Sequence, residues 1–343
     1  MKKKILITGG TGYIGSHTAV ELIEDGFEVV IIDNLYNSEA EVVDRIEKIT
    51  GIKPALEVFD LCDSDKTDLF FKKHHDISAV IHFAAYKAVG ESINKPLEYY
   101  RNNLVSLMNL LDSMQKYGII NMVFSSSCTV YGQPDKLPVT EESPVQTATS
   151  PYGNTKQIGE EIIRDTTVAT DKIKAISLRY FNPIGAHPSA LIGELPLGVP
   201  ENLVPYITQT AIGLRDELKV FGDDYDTPDG FCIRDYLHVS DLAKAHVVAV
   251  KRLIGKKNKK EYEVFNLGTG KGVSVLEAIR SFERVSGVKL KYKIAGRRKG
   301  DIVKIWADPS LANRELNWKT GYSLDDCMKS AWDWQKQLTK TKK

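Results

Sequence analysis

The chain has 343 residues, with 46 Lys and Arg against 45 Asp and Glu, so its formal net charge is +1 at pH 7. This length predicts about two domains, because single hydrophobic cores stop growing near ~250–300 residues. The balanced charge argues against nucleic acid or an anionic membrane as a partner, since neither would be attracted to the whole surface. Any recognition of phosphate is therefore expected to be local.

The four cysteines, Cys62, Cys128, Cys232 and Cys327, are widely spaced. Without a C-x-x-C pair or a His at metal-ligand spacing, they predict neither a disulfide framework nor a metal site. The lysines at residues 2–4 precede only three apolar residues, whereas a signal peptide needs ~7–15. No apolar run approaches the ~18 residues that cross a bilayer. We therefore expect a cytoplasmic protein without a targeting segment.

In the first half of the chain, short apolar runs alternate with longer helical patterns. The predicted strands are residues 5–7, 29–32, 55–59, 79–83, 122–124 and 175–178. Continuous apolar character is typical of parallel strands that are buried on both faces. Apolar residues at helical spacing predict the first helix over residues 14–23, with Gly26 available for its C-cap. The pattern indicates repeated β-α-β units.

The composition of the sequence changes near residue 181, where the predicted loops become rich in Pro and Gly. Helices are predicted over residues 204–214, 241–253, 275–285 and 324–338, with short strands between them. We therefore predict an α/β fold in which a doubly wound parallel sheet occupies residues 1–180. A smaller C-terminal α/β domain is expected over residues 181–343, and some of its segments are free to return to the first domain.

A glycine-rich turn follows the first predicted strand. Gly9, Gly12 and Gly15 have a G-x-x-G-x-x-G spacing that opens the first helix. Gly9 allows the tight turn, Gly12 lets a pyrophosphate approach the backbone, and Gly15 lets the helix pack close to the strand. The helix N-terminus adds free N–H groups and partial positive charge. The motif predicts a dinucleotide site, and an ordinary glycine-rich βα turn is the alternative.

Two acidic residues follow the next two strands. Asp33 ends the second strand, where a carboxylate accepts hydrogen bonds from an adenosine ribose and repels a 2′-phosphate. NAD is therefore favoured over NADP. Asp60 follows the third strand and is expected near the adenine edge, with a helix N-cap as its alternative role.

Ser127, Tyr152 and Lys156 form the predicted catalytic set. Tyr152 and Lys156 are four residues apart, so they share one face of a helix predicted to begin near Pro151. A free phenol has a pKa near ~10, and a neighbouring ammonium together with a positive nicotinamide ring favours the phenolate. Ser127 follows the fifth strand, where its hydroxyl can relay the proton. Tyr-x-x-x-Lys also arises by chance, but here it follows a dinucleotide motif and a serine-rich strand end.

Further motifs extend along nearly the whole chain. They lie at residues 9–17, 33–34, 88–92, 95–100, 127, 152 with 156, 179–183, 186–188, 234–236, 266–268 and 297–301. In these motifs the chain resembles the extended short-chain dehydrogenase/reductase superfamily, and within it the UDP-glucose 4-epimerase family. The resemblance implies a Rossmann-type NAD-binding domain, a UDP-sugar-binding domain, and a homodimer formed through a helix pair that includes residues 102–117.

The resemblance also implies an enzyme. Members of the family interconvert UDP-galactose and UDP-glucose through a transient 4-keto sugar and enzyme-bound NADH, so that net redox is zero. By resemblance Tyr152 is the base, Ser127 relays the proton or holds the 4-oxygen, and Lys156 tunes Tyr152 and binds the ribose.

The resemblance extends to residues that bind the two ligands. Besides the glycines and the catalytic set, the implied NAD contacts are Tyr13, Ile14, Asp33, Asn34, Asp60, Leu61, Phe83, Ala84, Lys87, Asn102 and Phe181. Alternatively, Lys87 is only a surface charge, and Asn102 only caps a helix. The implied UDP-sugar contacts are Arg234 and Arg298 at the pyrophosphate, Asn182, Asn202 and Leu203 at the nucleotide or phosphate, Phe221 at the uracil and Asp301 at the uridine ribose. A surface ion pair is the alternative for each arginine.

Ile305 departs from the family pattern. Relatives commonly carry bulky Tyr, or small Cys or Ser, at the position four residues after Asp301, which lines the hexose pocket. A small residue there is associated with acceptance of 2-acetamido sugars. Ile305 is intermediate in size and lacks a polar tip, so we predict a preference for UDP-glucose and UDP-galactose over UDP-N-acetylhexosamines.

Two other functions share this fold. Nucleotide-sugar 4,6-dehydratases carry Asp-Glu directly after the active-site hydroxyl residue, whereas this chain has Cys128 and Thr129 there. Elimination would therefore lack its proton carriers. A non-catalytic NAD-binding regulator is the other alternative, because fold does not fix function, but such proteins usually lose part of the catalytic set that is complete here.

Overall fold

The structure, a computed structural model, describes residues 2–298 and 301–341. Lys299 and Gly300 of the arginine motif lie outside the described residues. The strands are β1 (Lys4–Thr8), β2 (Glu28–Asp33), β3 (Ala55–Val58), β4 (Ile77–His82), β5 (Asn121–Ser125), β6 (Lys174–Tyr180), β7 (Asn182–Ile184), β8 (Leu218–Phe221), β9 (Ile233–Arg234), β10 (Tyr236–His238), β11 (Tyr262–Leu267), β12 (Val273–Ser274) and β13 (Tyr292–Ala295). The α-helices are α1 (Tyr13–Glu24), α2 (Val42–Thr50), α3 (Ser64–Lys73), α4 (Val89–Asn94), α5 (Pro96–Tyr100), α6 (Ser106–Tyr117), α7 (Pro151–Ala169), α8 (Leu203–Ala211), α9 (Val239–Ile254), α10 (Val275–Ser286), α11 (Ser310–Glu315) and α12 (Leu324–Thr341). A π-helical turn spans Arg101–Val105 and a 3-10 turn spans Cys128–Tyr131.

Seven parallel strands form the central sheet, in the order β3-β2-β1-β4-β5-β6-β11. The chain builds the sheet outward from β1 in both directions, so the predicted Rossmann-type doubly wound fold is confirmed. The order reverses between β1 and β4. In such sheets a crevice opens beyond the carboxyl ends of the strands at this reversal, and ligands bind there.

The seventh strand comes from the second half of the chain. β11 pairs in parallel with β6, from Tyr262 opposite Ala175 to Leu267 opposite Tyr180. Helix α9, which precedes it, packs against α1 on one face of the sheet. The division near residue 180 stays a prediction, and the structure adds that α9 and β11 lie with the first part of the chain.

Helices cover both faces of the sheet because its strands are apolar on both sides. Ile5 and Ile7 of β1 pack into a cluster with residues of α1 and α9. Leu6, between them, points to the opposite face, where residues of α3 and α6 lie. All three side chains are fully buried, and each contributes about 1.5–3 kcal/mol by burial. The continuous apolar runs in the sequence follow from this two-sided packing.

The rest of the second half forms a separate hydrophobic cluster. Residues of α8, α10 and α12 pack around Phe282 and Trp332, whose rings meet edge to face at 5.6 Å. Helix α10 begins with a capping box in which Ser274 and Glu277 each bond the other's backbone N–H. Three two-stranded pairings, β7 with β10, β9 with β12 and β8 with β13, edge this cluster.

Three properties of the described residues bear on ligands and environment. The four cysteines are all free thiols. Across residues 2–298 and 301–341, no group of three or more His, Cys, Asp or Glu is arranged to hold a metal ion. None of the helices in these ranges combines the length and the apolar character needed to span a bilayer.

A buried ion pair fastens α9 to β11. Arg252 donates to both carboxylate oxygens of Glu263 at 2.7 and 2.8 Å, and also to the carbonyl oxygen of Glu315 at 2.9 Å. The side chains of Arg252 and Glu263 are only 8% and 9% exposed. Removal of Glu263 would leave the buried Arg252 guanidinium with only the more distant Glu315 carboxylate, at 3.6 Å, as a charged partner.

We therefore expect Glu263→Ala to lower the free energy of unfolding by about 3–5 kcal/mol, measured by urea denaturation. The control is Glu261→Ala, because the Glu261 carboxylate is 51% exposed and lies 3.4 Å from Lys174. That change should cost less than about 1 kcal/mol. Equal losses in the two variants would contradict this account.

Candidate active site

The glycine turn admits no larger residues at two of its positions. Gly9 has φ +72°, and a Cβ there would lie 2.7 Å from the backbone nitrogen of Ala84. At Gly15 a Cβ would lie 2.3 Å from the carbonyl oxygen of Gly9. Gly12 caps α1 without a side-chain hydrogen bond, so no side chain caps the first-turn N–H groups. This cradle fits the diphosphate of a dinucleotide.

Asp33 connects the end of β2 to the glycine turn. Its Oδ2 accepts a hydrogen bond from Thr11 N at 3.1 Å, and its Oδ1 accepts from Leu35 N at 2.9 Å and Ser38 Oγ at 3.1 Å. A carboxylate oxygen can accept about two hydrogen bonds, and Oδ2 of Asp33 accepts one here. Asp33 is therefore held in place by the backbone and keeps acceptor capacity for a ribose hydroxyl.

The residues predicted to lie near an adenine meet beyond the ends of β2 and β3. Asn34 Nδ2 lies 3.4 Å from Asp60 Oδ2, and Asp60 Oδ1 accepts from Cys62 N at 2.8 Å. Cys62 Sγ in turn lies 3.6 Å from the carbonyl oxygen of Asn102, in the π-helical turn. Asp63 caps α3 by accepting from the Lys66 backbone N–H, so the N-cap role considered for Asp60 belongs to Asp63.

The other predicted cofactor residues lie near the glycine turn or at strand ends. Tyr13 donates its hydroxyl to the carbonyl oxygen of Gly185 at 2.6 Å. Lys87 Nζ lies 3.3 Å from Glu194 Oε1 and 6.0 Å from the centre of the Tyr13 ring. Its charge is therefore paired with a carboxylate from the second half of the chain. Ile14 is the second residue of α1, and just beyond strand ends lie Leu61, Phe83, Ala84 and Phe181.

The predicted catalytic residues come together at the end of β5. Helix α7 begins at Pro151, and Ser150 caps it by accepting from Gly153 N at 3.1 Å. Tyr152 and Lys156 project from the same face of its first turns and are 8% and 4% exposed. Ser127 is 7% exposed, and its hydroxyl lies close enough to the Tyr152 phenol to lower the pKa of that group. The three side chains therefore form one buried group.

The electrostatics of this group are set by burial. Burial raises the pKa of Tyr152 well above its ordinary value, Tyr180 adds to the rise, and the Ser127 hydrogen bond opposes it. Burial lowers the pKa of Lys156 to about 8, against the opposing effect of Glu160. In the protein alone, Lys156 is thus the first member of the pair to release a proton, and a single proton is then shared between two basic groups.

Several neighbours had no role assigned by sequence reasoning. Lys156 Nζ donates to the carbonyl oxygen of Ser125 at 2.7 Å, and Ser125 Oγ lies 2.6 Å from the Tyr180 hydroxyl. Thr129 Oγ1 is buried and has no hydrogen-bond partner within the described residues. Ser125 and Tyr180 lie in motifs that are visible in the sequence, the serine run and residues 179–183. Their contact with each other joins two strands and is not visible in either motif.

Three residues predicted to bind the UDP moiety, Phe221, Arg298 and Asp301, form a cluster. Arg298 donates from Nε and Nη2 to Asp301 Oδ1 at 3.0 and 2.7 Å. Its guanidinium lies 5.5 Å from the centre of the Phe221 ring, at the end of β8. The Arg298 side chain is 58% exposed, so it makes the ion pair that was considered as its alternative role and is also accessible to a phosphate.

Arg234 and Ile305 lie on neighbouring backbone segments. Ile233 N donates to Val303 O at 2.9 Å and Ile305 N donates to Ile233 O at 3.1 Å, so residues 301–305 run beside β9. The Ile305 side chain is only 1% exposed. Arg234 acts electrostatically on Cys128, whose pKa burial raises to about 12. Arg234 therefore lies near Cys128, the residue that follows Ser127.

The remaining predicted substrate residues lie around the start of α8 and β7. Asn202 precedes α8 as its N-cap and donates from Nδ2 to Glu194 Oε1 at 2.5 Å. Leu203 is the first residue of α8. Asn182 begins β7, and its backbone N–H donates to the carbonyl oxygen of Asp235 at 2.9 Å. Glu194 thus joins Asn202 to Lys87 of the predicted cofactor set.

Comparisons with known proteins agree on one family. A family model described as GDP-mannose 4,6 dehydratase matches residues 6–331. The UDP-glucose 4-epimerase of Bacillus subtilis is 50% identical over 331 residues, covering 96% of each chain. The crystal structure of UDP-glucose-4-epimerase from Stenotrophomonas maltophila with bound NAD and formylated UDP-arabinopyranose has a TM-score of 0.95, 47% identity and 99% coverage of each chain.

A second solved structure, UDP-glucose 4-epimerase from Bifidobacterium longum in complex with NAD+ and UDP, has a TM-score of 0.94 and 46% identity. It covers 98% of this chain and 99% of its own. Identity of this level over the full length of both partners goes beyond a shared fold. The chain therefore belongs to the family that the matching model describes, and within it to the UDP-glucose 4-epimerases.

Proposed function

We propose that the chain is a UDP-glucose 4-epimerase, an isomerase that interconverts UDP-glucose and UDP-galactose with NAD as its bound cofactor. The observation that carries the proposal is the buried group of Ser127, Tyr152 and Lys156 at the strand ends that also hold the glycine turn. Relatives that are half identical over the whole chain carry this name, and similar structures hold NAD with UDP or a UDP-sugar.

The residues present fit NAD. The N–H groups at the start of α1 would bind its diphosphate, Asp33 the adenosine ribose, and Asn34 with Asp60 the adenine side. Lys156 would donate to the nicotinamide ribose. When bound, NAD supplies the hydride acceptor and donor, so the reaction has no net redox change.

The chain's own residues handle the proton. Tyr152 Oη accepts the proton of the sugar 4-hydroxyl, and Ser127 Oγ holds the 4-oxygen or relays that proton. The Lys156 ammonium stabilises the phenolate against the cost of its burial. After the 4-keto sugar has turned over in the site, Tyr152 returns the proton to the same oxygen, which completes the inversion at C4.

Positive charge and stacking hold the UDP moiety. Arg234 and Arg298 would bind the pyrophosphate, since guanidinium groups bond phosphate oxygens in a bidentate manner. Phe221 is positioned beside Arg298 to contact the uracil, and Asp301 to accept from the uridine ribose. Asn182, at the start of β7, and Asn202 with Leu203, at the start of α8, would contact the nucleotide or phosphate.

A 4,6-dehydratase activity is less well supported, although the matching family model carries that description. Elimination needs a carboxylate pair after the catalytic hydroxyl, and Cys128 and Thr129 stand there. Burial raises the Cys128 pKa to about 12, so the thiol stays protonated and cannot act as the base at neutral pH.

The assembly and location of the enzyme are also proposed. A homodimer through a helix pair including α6 is supported by the partly exposed Met108 on that helix. A cytoplasmic location is supported by four free thiols, which suit a reducing compartment.

The first prediction concerns the base. Tyr152→Phe should lower kcat for UDP-galactose by about 10²–10⁴-fold, because the proton acceptor is lost. NAD should still copurify with the variant, since the glycine turn is intact. Product chromatography measures turnover, and the nicotinamide absorbance of the denatured protein measures the cofactor. Full activity in this variant would remove the mechanism.

The second prediction concerns pH. Below the pKa of Lys156, both members of the pair carry a proton and Tyr152 cannot accept another. Loss of one proton produces the active form, so kcat/KM should rise with pH along a limb centred at or below about pH 8. The limit is an upper one because the positive nicotinamide ring favours the phenolate. Activity that falls with pH across this range would contradict the assignment.

The third prediction concerns sugar specificity. With Ile305 in the hexose pocket, kcat/KM for UDP-N-acetylglucosamine should be lower than that for UDP-glucose by about tenfold or more. Ile305→Cys should raise the acetamido activity while activity toward UDP-galactose stays near wild type. Chromatography of products from each sugar provides the measurement, and comparable wild-type values for the two sugars would contradict the prediction.

A further inference from the structure

Three consecutive serines at the end of β5, Ser125, Ser126 and Ser127, each make a different contact. Ser125 accepts from Lys156 through its carbonyl oxygen and pairs with the Tyr180 hydroxyl through its side chain. Ser126, which is fully buried, donates its hydroxyl to Glu160 Oε1. Ser127 presents its hydroxyl to Tyr152. The position of Ser127 therefore depends on how its two neighbours are held.

Glu160 is the centre of a buried polar network. Arg179 of β6 donates to Glu160 Oε1 from Nε at 2.9 Å and to Oε2 from Nη2 at 2.6 Å. Arg179 Nη1 also donates to the Tyr131 hydroxyl at 2.9 Å, and that hydroxyl donates to Asn266 Oδ1 of β11 at 2.7 Å. Glu160 and Arg179 are 7% and 6% exposed. The Glu160 carboxylate on α7 thus bonds both Ser126 and Arg179 of β6, and β11 joins the network through Asn266 and Tyr131.

We propose that Glu160 is a positioning residue for the reaction, which holds Ser126, and through it Ser127, in register with Tyr152 and Lys156 on α7. Glu160 lies one helical turn after Lys156, so the same helix presents the base, the lysine and the carboxylate that anchors the serine loop. Ser126 is the link, because it is adjacent to Ser127 in the chain and bonds directly to Glu160. The inference rests on the epimerase function proposed above.

The charge of Glu160 also reaches the reacting pair. Glu160 raises the pKa of Lys156 against the effect of burial. The other ionisable groups around this network are Arg179 on β6, Tyr262 on β11 and His82 on β4. Burial lowers the pKa of His82 to about 3 and raises that of Tyr262 well above its ordinary value, so both are neutral. Glu160 is thus the anion that acts on Lys156.

Ser126→Ala tests the link with the least disturbance. The change removes the bond to Glu160 and leaves both bonds from Arg179 in place. We expect kcat for UDP-galactose to fall by roughly tenfold, with KM unchanged, because Ser127 loses its register while the UDP contacts remain. The matched control is Ser281→Ala, which removes a serine-to-carboxylate bond of 2.6 Å to Asp325 in the α10 and α12 cluster. Wild-type kcat in Ser126→Ala, or an equal fall in both variants, overturns the proposal.

Variants of Glu160 test the carboxylate itself. Glu160→Gln should lower kcat and shift the rising limb of the pH profile to lower pH, because the anion that raises the Lys156 pKa is gone. Glu160→Asp should keep the limb in place and recover part of kcat. Glu161→Gln, exposed on the same helix, should match the wild type. If the rising limb of the pH profile does not move in Glu160→Gln, the proposed effect of Glu160 on the Lys156 pKa is wrong.

The wild-type assay separates this proposal from the function on which it rests. A purified wild-type protein that does not convert UDP-galactose defeats the epimerase proposal. An active wild type whose Ser126→Ala variant is equally active defeats only the positioning role of Glu160. Melting temperatures of all variants, measured with the cofactor bound, identify any loss of activity that follows from unfolding.

Discussion

The parallel alignment of the central strands is the constraint on which the rest of the structure depends. Parallel strands place all their carboxyl ends at one edge, and the glycine turn, Asp33, Asp60, Phe83, Ser127 and Phe181 each follow one of these ends. Residues far apart in the chain therefore meet without any specific attraction between them. If the strands alternated in direction, as in an antiparallel sheet, their carboxyl ends would lie at opposite edges and the same side chains would be divided between them.

Much of this arrangement could be predicted from local sequence signals. Continuous apolar runs predict β1, β2, β4, β5 and β6 because these strands are buried on both faces, whereas β3, at the edge of the sheet, is partly exposed. The glycine spacing predicts the turn, because a Cβ at Gly15 would collide with the carbonyl oxygen of Gly9. The spacing of Tyr152 and Lys156 places them on one helical face by geometry alone. In each case a few adjacent residues contain the whole physical argument.

What could not be predicted depends on contacts between distant segments. The place of Tyr262–Leu267 in the first sheet is set by pairing with β6 across an intervening domain segment, and no local pattern records a pairing partner. The pKa of Tyr152 depends on burial by groups from several elements. The network of Ser126, Glu160 and Arg179 joins three segments of the chain. The sequence around any one of these residues does not predict its partners.

The contact between Tyr13 and Gly185 has a mechanical consequence. Tyr13 begins α1 and donates to the carbonyl oxygen of Gly185, in the second half of the chain. The ion pair of Lys87 with Glu194 is a second bond between the two halves. The first turn of α1 is thus fastened directly to the segment that contains Gly185. A displacement of that segment would therefore be transmitted to the glycine turn, so the two halves of the chain are mechanically coupled at this point.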